Sequence, residues 1–256
     1  SHALGEYLIF IDADDWIAED MYEYMLKKAK KSNAEIVKCL QTIVYSNQNI
    51  QDNLIQNEIL IDMKKDRTRM ISQVIVNGKM PSFSLMLIKK DVIDNLRFDT
   101  ELIIGEDLLF VMNLYLSVHS MIWCDKYFYY YRIHENSATN SAEKNKKMLL
   151  NLLKLYAKIK NLFINKNIYD SELKEGLGNY IFFRLYMRLA KDSVYQKSGK
   201  VIDDICSNKE MEEILKVVNL DKFSFFGKRF YDAIKNKNDV RFYWLSVIYV
   251  TLKSFR

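Results

Sequence analysis

The most constraining feature of this sequence is a change in hydrophobic spacing near residue 141. Before it, short apolar runs such as 6–11 and 121–124 end at acidic or turn residues, as buried strands do. From residue 143 onward, apolar residues recur every three or four positions, which is the spacing of amphipathic helices. We therefore predict an α/β domain over residues 1–140 and an all-helical domain over residues 141–256.

Individual elements follow from the same spacing. Strands are predicted over 6–11, 35–44, 83–88, 121–124 and 127–132. Helices are predicted over 20–31, 62–77, 91–95 and 106–118, and again over 209–218, 225–235 and 240–255. Only 7 glycines and 1 proline occur in 256 residues, and this scarcity favours long helices over a sandwich or barrel with many turns.

The charge and cysteine content exclude some classes of protein. The net charge is +5, which indicates either an ordinary solvated surface or attraction to anionic lipid or phosphate. No dense stripe of Lys and Arg interleaved with aromatics occurs, so we expect no nucleic-acid partner. Cys39, Cys124 and Cys206 lie far apart without a CxxC pair, which predicts a reducing, cytoplasmic location and no zinc site.

An acidic motif, Asp12-Ala13-Asp14-Asp15-Trp16, follows the first predicted strand. Side chains two positions apart on an extended segment point the same way, so Asp12 and Asp14 are expected to face one site. Hard divalent cations such as Mg²⁺ or Mn²⁺ prefer oxygen ligands and bind phosphates at the same time. Asp15 is a third candidate metal ligand, a candidate contact to sugar hydroxyls, or a cap for the next helix. A turn whose acids only cap a helix is the alternative.

Two later motifs carry further chemistry. Glu106 and Asp107 follow Gly105 at the start of a predicted helix, where a carboxylate can cap amides and also face a cleft. The aromatic segment 129–137 supplies Arg132, His134 and hydroxyl groups that can meet phosphate oxygens.

These three motifs together resemble those of family-2 glycosyltransferases with the GT-A fold. The segment 5–16 resembles the strand and DxD motif of bacterial members, and 105–110 resembles their second acidic motif. Residues 130–132, with the later Ser-Ala-Thr of 137–139, resemble the segment that closes their catalytic domain. The motifs occur in the family's order and approximate spacing, and the resemblance covers about residues 4–140.

The resemblance implies inverting transfer of a sugar from a nucleotide-sugar, such as a UDP-sugar, to a glycan or lipid-linked acceptor in bacterial surface polysaccharide synthesis. Asp14 would then hold a divalent metal on the diphosphate, with Asp12 contacting ribose or metal. Asp107 would be the general base on the acceptor hydroxyl, with Glu106 as the second candidate. Contacts to the phosphates are expected from two basic residues, Arg132 and His134.

The chain departs from the family's pattern before the DxD motif. In the family, an apolar strand, a turn and a helix that recognise the nucleotide base normally precede the motif by roughly eighty residues, and none of these is in this sequence. We therefore expect this chain alone to bind a nucleotide-sugar weakly and to be inactive. A sheet without those strands exposes an edge, which predicts strand exchange or a homodimer.

Two alternatives stay open at this point. A haloacid-dehalogenase-like phosphatase also has a strand ending in Asp-x-Asp, although it would have Gly followed by Thr or Val where this chain has Asp15-Trp16. The second is a non-catalytic helical interaction or membrane-surface module. In 241–253, basic and aromatic residues flank an apolar run too short to span a bilayer, so the helix is expected either to contact the inner face of the membrane or to pack in the core.

Overall fold

The computed structural model describes residues 3–45, 48–51, 57–76, 83–133 and 145–254. It divides into two compact units that each draw on several stretches of sequence. The sheet unit comprises residues 1–71, 80–99 and 107–140, and the helical unit comprises 72–79, 100–106 and 141–256. The division into independently folding domains at residue 141 stays a prediction.

The sheet unit is built around a mixed sheet. Its strands are β1 (Tyr7–Leu8), β2 (Trp16–Ile17), β3 (Ile36–Val44), β4 (Asn49–Gln51), β5 (Ile59–Asp62), β6 (Met86–Lys89) and β7 (Ser120–Arg132). The strand order is β1-β6-β3-β7-β2, with β4 paired to β3 and β5 paired to β7. Only β3 and β7 are parallel among the described strand pairs, and the rest are antiparallel.

Four helices accompany the sheet, and their bounds are α1 (Met21–Ser32), α2 (Met63–Val76), α3 (Lys90–Ile93) and α4 (Glu106–Ser117). The apolar stripe of α1, with Met21 and Met25 fully buried, packs on Val37 and Cys39 of β3. The first five residues of β3 are all buried, so both faces of the strand are covered at the centre of the sheet. The last residues of β7 pair with β2, so the end of β7 lies directly beside the first acidic motif.

Several predicted elements differ from those observed. The strand expected over 6–11 is confined to β1, a half-buried edge strand, because its pairing is with β6 alone. The strands expected over 121–124 and 127–132 form the single strand β7. The strand β5 was not predicted, since it is four residues long and runs directly into α2.

The helical unit agrees with its prediction. Its helices are α5 (Asn145–Asn165), α6 (Ser171–Tyr195), α7 (Asp203–Cys206), α8 (Lys209–Val217), α9 (Phe225–Lys235) and α10 (Asp239–Ser254). The longest, α6, contacts α5, α8 and α10, and its first turn is capped by Asp170, which accepts a 2.9 Å hydrogen bond from the Leu173 amide. Within the part of the chain that the structure describes, no helix combines the length and apolarity needed to cross a membrane.

Candidate functional site

The first acidic motif forms a turn between β1 and β2. The Asp15 amide donates to the Asp12 carbonyl over 3.2 Å, which closes the turn around Ala13 and Asp14. Asp12 and Asp14 are exposed, whereas Asp15 is half-buried. The extended geometry that we expected for these residues is therefore wrong, because the chain leaves the sheet after Leu8 and turns before it rejoins at Trp16.

The end of strand β7 holds this turn. The phenol of Tyr129 donates to the Asp15 carboxylate over 2.7 Å and accepts a 3.2 Å hydrogen bond from the Asp12 amide. The Arg132 amide donates to the other carboxylate oxygen of Asp15 over 2.9 Å. Burial, and then the hydrogen bond to Asp15, raise the pKa of Tyr129 well above its ordinary value, so the phenol stays protonated and able to donate.

Two more side chains approach the aspartates of the turn. The hydroxyl of Ser84, which is buried, donates to the Asp12 carboxylate over 3.2 Å. Burial and then the negative charges of the three aspartates raise the pKa of Tyr131. The phenol of Tyr131 therefore lies within the electrostatic field of the acidic motif.

An aromatic–cation stack adjoins the turn. Trp16 pairs across the sheet with Tyr130, and their parallel rings lie 5.3 Å apart. The guanidinium carbon of Arg132 lies 4.9 Å from the centre of the Trp16 ring. The stack thus keeps a cation beside the three carboxylates, where sequence reasoning expected a phosphate contact.

The second acidic motif lies at the start of α4. Gly105 has a φ of 80°, a conformation that favours glycine, and Glu106 then begins the helix. One carboxylate oxygen of Asp107 accepts a 2.7 Å hydrogen bond from the Leu108 amide in the first helical turn. Asp107 is half-buried.

The segment just before this motif is held by α5 of the helical unit. The side chain of Asn151, which is 5% exposed, accepts from the Ile103 amide over 2.6 Å and donates to the Ile104 carbonyl over 2.7 Å. Glu101 forms 2.9 Å ion pairs with both Lys154 and Lys158. These contacts fix the backbone that leads into Glu106 and Asp107.

A cluster of four phenylalanines connects the surroundings of the two motifs. Phe10, two residues before Asp12, lies 5.2 Å from Phe83, 5.8 Å from Phe98 and 6.2 Å from Phe110, measured between ring centres. Phe98 and Phe110 stack at 4.3 Å. Because Phe110 follows Asp107 by one helical turn, both acidic motifs extend from one apolar cluster.

The end of β7 brings together four of the predicted site residues, namely Asp12, Asp14, Asp15 and Arg132. Asp107 lies one helical turn before Phe110 of the phenylalanine cluster, Glu106 is grouped with the helical unit, and His134 lies outside the described residues.

Sequence reasoning missed Tyr129 and Ser84 as supports of the acidic turn. The run of three tyrosines at 129–131 could have indicated such a support. Alternate side chains of a strand face opposite sides of the sheet, so three tyrosines in a row place a hydroxyl on each side. No signal in the sequence marks Ser84. Among the described residues, no group of three or more His, Cys, Asp or Glu side chains is arranged to hold a metal ion.

Comparisons with known proteins agree with this geometry. The family described as "Glycosyl transferase family 2" matches residues 1–97, which include the first acidic motif. The cholesterol galactosyltransferase of Borreliella burgdorferi is 23% identical over 233 residues, covering 86% of this chain and 62% of that protein. Glycosyltransferase GlyA of Streptococcus pneumoniae is 30% identical over 142 residues, covering 52% of this chain and 20% of that protein.

A third relative, the minor teichoic acid biosynthesis protein GgaB of Bacillus subtilis, is 27% identical over 152 residues, covering 57% of this chain and 16% of that protein. The chain thus spans less than two thirds of the length of each of these relatives.

Among solved structures, S. aureus TarS 1-349 in complex with UDP-GlcNAc matches with a TM-score of 0.65 and 17% identity. The match covers 97% of this chain and 69% of that one. At this identity the match establishes the fold, and it confirms the prediction of a GT-A-like sheet followed by helices. Residues 1–97 thus match glycosyl transferase family 2, and the chain has the fold of the TarS structure.

Proposed function

We propose that the sheet unit carries the catalytic residues of an inverting glycosyltransferase that uses a nucleotide-sugar donor and a glycan or lipid-linked acceptor. The observation that carries this proposal is the extension of both acidic motifs from the cluster around Phe10 and Phe110. Such a transferase needs carboxylates for a metal-bound diphosphate close to the carboxylate that deprotonates the acceptor.

The named relatives support the classes of donor and acceptor. One relative is a cholesterol galactosyltransferase, and another takes part in minor teichoic acid biosynthesis. The structurally similar TarS was solved in complex with UDP-GlcNAc, and separately with UDP. We therefore propose a UDP-sugar as donor and a surface glycan or glycolipid as product.

The acidic turn fits a divalent metal such as Mg²⁺ or Mn²⁺. Asp12 and Asp14 are exposed carboxylates, the hard oxygen ligands that these cations prefer. A site with only two protein ligands suits Mg²⁺, which usually retains several waters and completes its coordination with substrate phosphates. When bound, the metal would neutralise charge on the leaving diphosphate.

We assign the proton transfer to Asp107. Its carboxylate would accept the proton of the acceptor hydroxyl as that oxygen bonds to the anomeric carbon and the bond from that carbon to the diphosphate breaks. The hydrogen bond from the Leu108 amide fixes one carboxylate oxygen. Arg132, held by Trp16, would contact phosphate, as would His134.

The phosphatase alternative is less well supported by the second acidic motif. That class requires a later strand that ends in two acids, whereas Glu106 here begins α4 and Asp107 lies in its first turn. Both this geometry and the match of residues 1–97 to glycosyl transferase family 2 favour the transferase.

The substitution Asp107→Asn in the full-length gene product tests the base. We expect the variant to lose about 100-fold or more in UDP release from UDP-glucose, UDP-galactose and UDP-N-acetylglucosamine with a bacterial polar-lipid extract as acceptor. The affinity for UDP, measured by calorimetry, should remain within about twofold because Asp107 acts on the acceptor. Unchanged turnover would remove Asp107 from this role, and Glu106→Gln would then be tested in the same assay.

A second proposal concerns the apolar outer face of α10. Val240, Trp244, Ile248 and Leu252 follow one another at four-residue spacing, and each is 49% or more exposed. No charged residue occurs from 242 to 252, while basic side chains stand at both ends of this stretch. We propose that this face lies in the interface of an anionic bilayer, since basic residues that flank exposed apolar ones match such a surface.

Two isoleucines of nearly equal exposure provide a matched test of this contact. Ile248 on α10 is 49% exposed, and Ile164 at the end of α5 is 47% exposed. We expect Ile248→Glu to reduce co-sedimentation with vesicles of phosphatidylglycerol and phosphatidylcholine several-fold, and Ile164→Glu to leave it unchanged. Equal binding by both variants would contradict the membrane contact.

Two further expectations stay predictions. A cytoplasmic protein at the inner face of the membrane would have both its nucleotide-sugar and its lipid surface within reach. The homodimer expected from the sequence is tested by light scattering of the purified protein, where a monomer at high concentration would count against it.

A further inference from the structure

Asp15 differs from the other two aspartates of the acidic turn in its surroundings. Both of its carboxylate oxygens already accept hydrogen bonds, one at 2.7 Å from the Tyr129 phenol and one at 2.9 Å from the Arg132 amide. Asp12 and Asp14 are exposed, whereas Asp15 is half-buried. Each oxygen keeps a second lone pair, but the two charge-assisted hydrogen bonds hold the carboxylate against β7.

Tyr129 holds the turn at two points. Its phenol accepts from the Asp12 amide and donates to the Asp15 carboxylate, so a single oxygen contacts both ends of the turn. The phenol is fixed in turn, because Tyr129 is 1% exposed and its backbone pairs with Ile17 of β2. A buried hydroxyl with both of its roles in use is well suited to hold a backbone conformation.

The turn requires such support because it lies outside the sheet. Strand β1 ends at Leu8 and β2 begins at Trp16, so residues 9–15 have no strand pairing to set their conformation. The contacts that reach this segment are those of Tyr129, the Arg132 amide, Ser84 and the phenylalanine cluster. Of these, the contacts from β7 are the ones that act on both ends of the turn.

We infer that Tyr129 and Asp15 form a latch that positions the Asp12–Asp14 turn for a metal-bound diphosphate, and that Asp15 is a positioning residue and not a metal ligand. The inference rests on the proposed function for the role of the turn. The latch itself is defined by the contacts of Asp15 with β7.

The substitution Tyr129→Phe removes the latch hydroxyl, and Tyr22→Phe removes the hydroxyl of an exposed tyrosine on α1 of the same unit as a control. We expect Tyr129→Phe to weaken Mn²⁺ binding in the presence of UDP about tenfold, as the loss of a charge-assisted hydrogen bond would, and Tyr22→Phe to change it less than twofold. Mn²⁺ binding is measured by electron paramagnetic resonance. An unchanged affinity in Tyr129→Phe would overturn the latch.

A double substitution separates a latch from a ligand. If Asp15 acts through Tyr129, then Asp15→Asn in the Tyr129→Phe background adds little to the loss of Mn²⁺ affinity. If Asp15 ligates the metal, the two losses multiply and Asp15→Asn equals Asp14→Asn in effect, which would overturn the inference.

Hydrogen exchange tests the latch independently of the metal. We expect faster amide exchange across residues 9–17 and at Arg132 in Tyr129→Phe than in Tyr22→Phe, because the latch restrains that backbone. Equal exchange in the two variants would overturn the latch. An Asp14→Asn variant that still binds Mn²⁺ would instead refute the proposed metal site, and exchange would still decide on the latch.

Discussion

The two acidic motifs of this protein are held by different kinds of structure. The first is fixed from within the sheet unit, by the Tyr129 phenol and the Arg132 amide at the end of β7. The second is preceded by a segment that α5 of the helical unit holds, through Asn151 and the lysines that pair with Glu101. One motif therefore depends on hydrogen bonds from strand β7, and the other follows a segment that helix α5 holds.

This difference suggests that substitutions near the two motifs affect different steps of the reaction. Changes around the first motif should alter binding of the metal and the donor, because they move the carboxylates that would face the diphosphate. Changes around the second should alter the chemical step, because they move the predicted base. Under the proposed function, changes in the helical unit would act on the chemical step through the segment 100–106.

The largest expected effect follows from Asp14→Asn at the first motif. Removing an anionic oxygen ligand should weaken binding of Mn²⁺ with UDP by about 100-fold. Asp20→Asn is the control, because Asp20 is an exposed aspartate at the N-cap of α1 whose side chain makes no capping hydrogen bond. Calorimetry with Mn²⁺ and UDP measures both. An affinity that changes equally in the two variants would remove the first motif from the donor site.

The sequence offered candidate site residues in both motifs but did not indicate the residues that support them. Asp14 and Asp107 were identifiable because acidic residues at a strand end and at a helix start have a recognisable local pattern. Their supports are distant in sequence, since Tyr129 lies 114 residues from Asp15 and Asn151 lies 48 residues from Ile103. Such contacts arise from tertiary packing, which local hydrophobic spacing does not record.

Hydrophobic spacing also predicted the fold only in part. Hydrophobic spacing predicted the change from sheet to helix, because long helices repeat their apolar stripe over many residues. It divided β7 in two at Asp125-Lys126, since a pair of charged residues usually marks a turn. β7 pairs with β3 on both sides of these charges, with a shift in register between Trp123 and Tyr127, so the strand continues past them as one element.

The next largest effect is expected from Asn151→Ala at the second motif. It leaves the Ile103 amide and the Ile104 carbonyl without their partner, and partial exposure of this segment limits the cost to about 1–3 kcal/mol. We expect the melting temperature to fall by several degrees and kcat to fall about tenfold, with donor affinity unchanged.

The control for that variant is Asn179→Ala, which removes a comparable hydrogen bond from the Asn219 amide elsewhere in the helical unit. It should lower the melting temperature without changing kcat. If both variants reduce kcat alike, Asn151 has no special connection to the base.

Each motif also has a glycine, and replacing the two glycines with alanine should lower the free energy of unfolding by different amounts. Gly105→Ala forces a φ of 80° on alanine and brings its Cβ within 2.4 Å of the Leu155 side chain, so we expect a loss of about 1–2 kcal/mol. Gly5→Ala places its Cβ 3.1 Å from the Tyr7 carbonyl oxygen at an exposed position and should lose less. Urea unfolding of both variants measures the difference, and equal losses would contradict it.

The smallest effect is expected from Glu101, whose ion pairs are exposed. Hydrogen bonds from Lys154 and then Lys158 lower the pKa of Glu101 to about 2. Because the folded pKa lies below the unfolded one, this group stabilises the fold above about pH 4.5 and loses its contribution as the pH falls towards 2. Between pH 6 and 3, the melting temperature of Glu101→Gln should therefore fall slightly less than that of the parent protein. A salt concentration of 0.5 M should remove the difference because exposed pairs are screened.

The control is Glu19→Gln, which changes an exposed glutamate of the sheet unit and should behave as the parent protein does. A pH dependence of Glu101→Gln identical to the parent's would leave Asn151 as the polar side chain on α5 that supports the second motif.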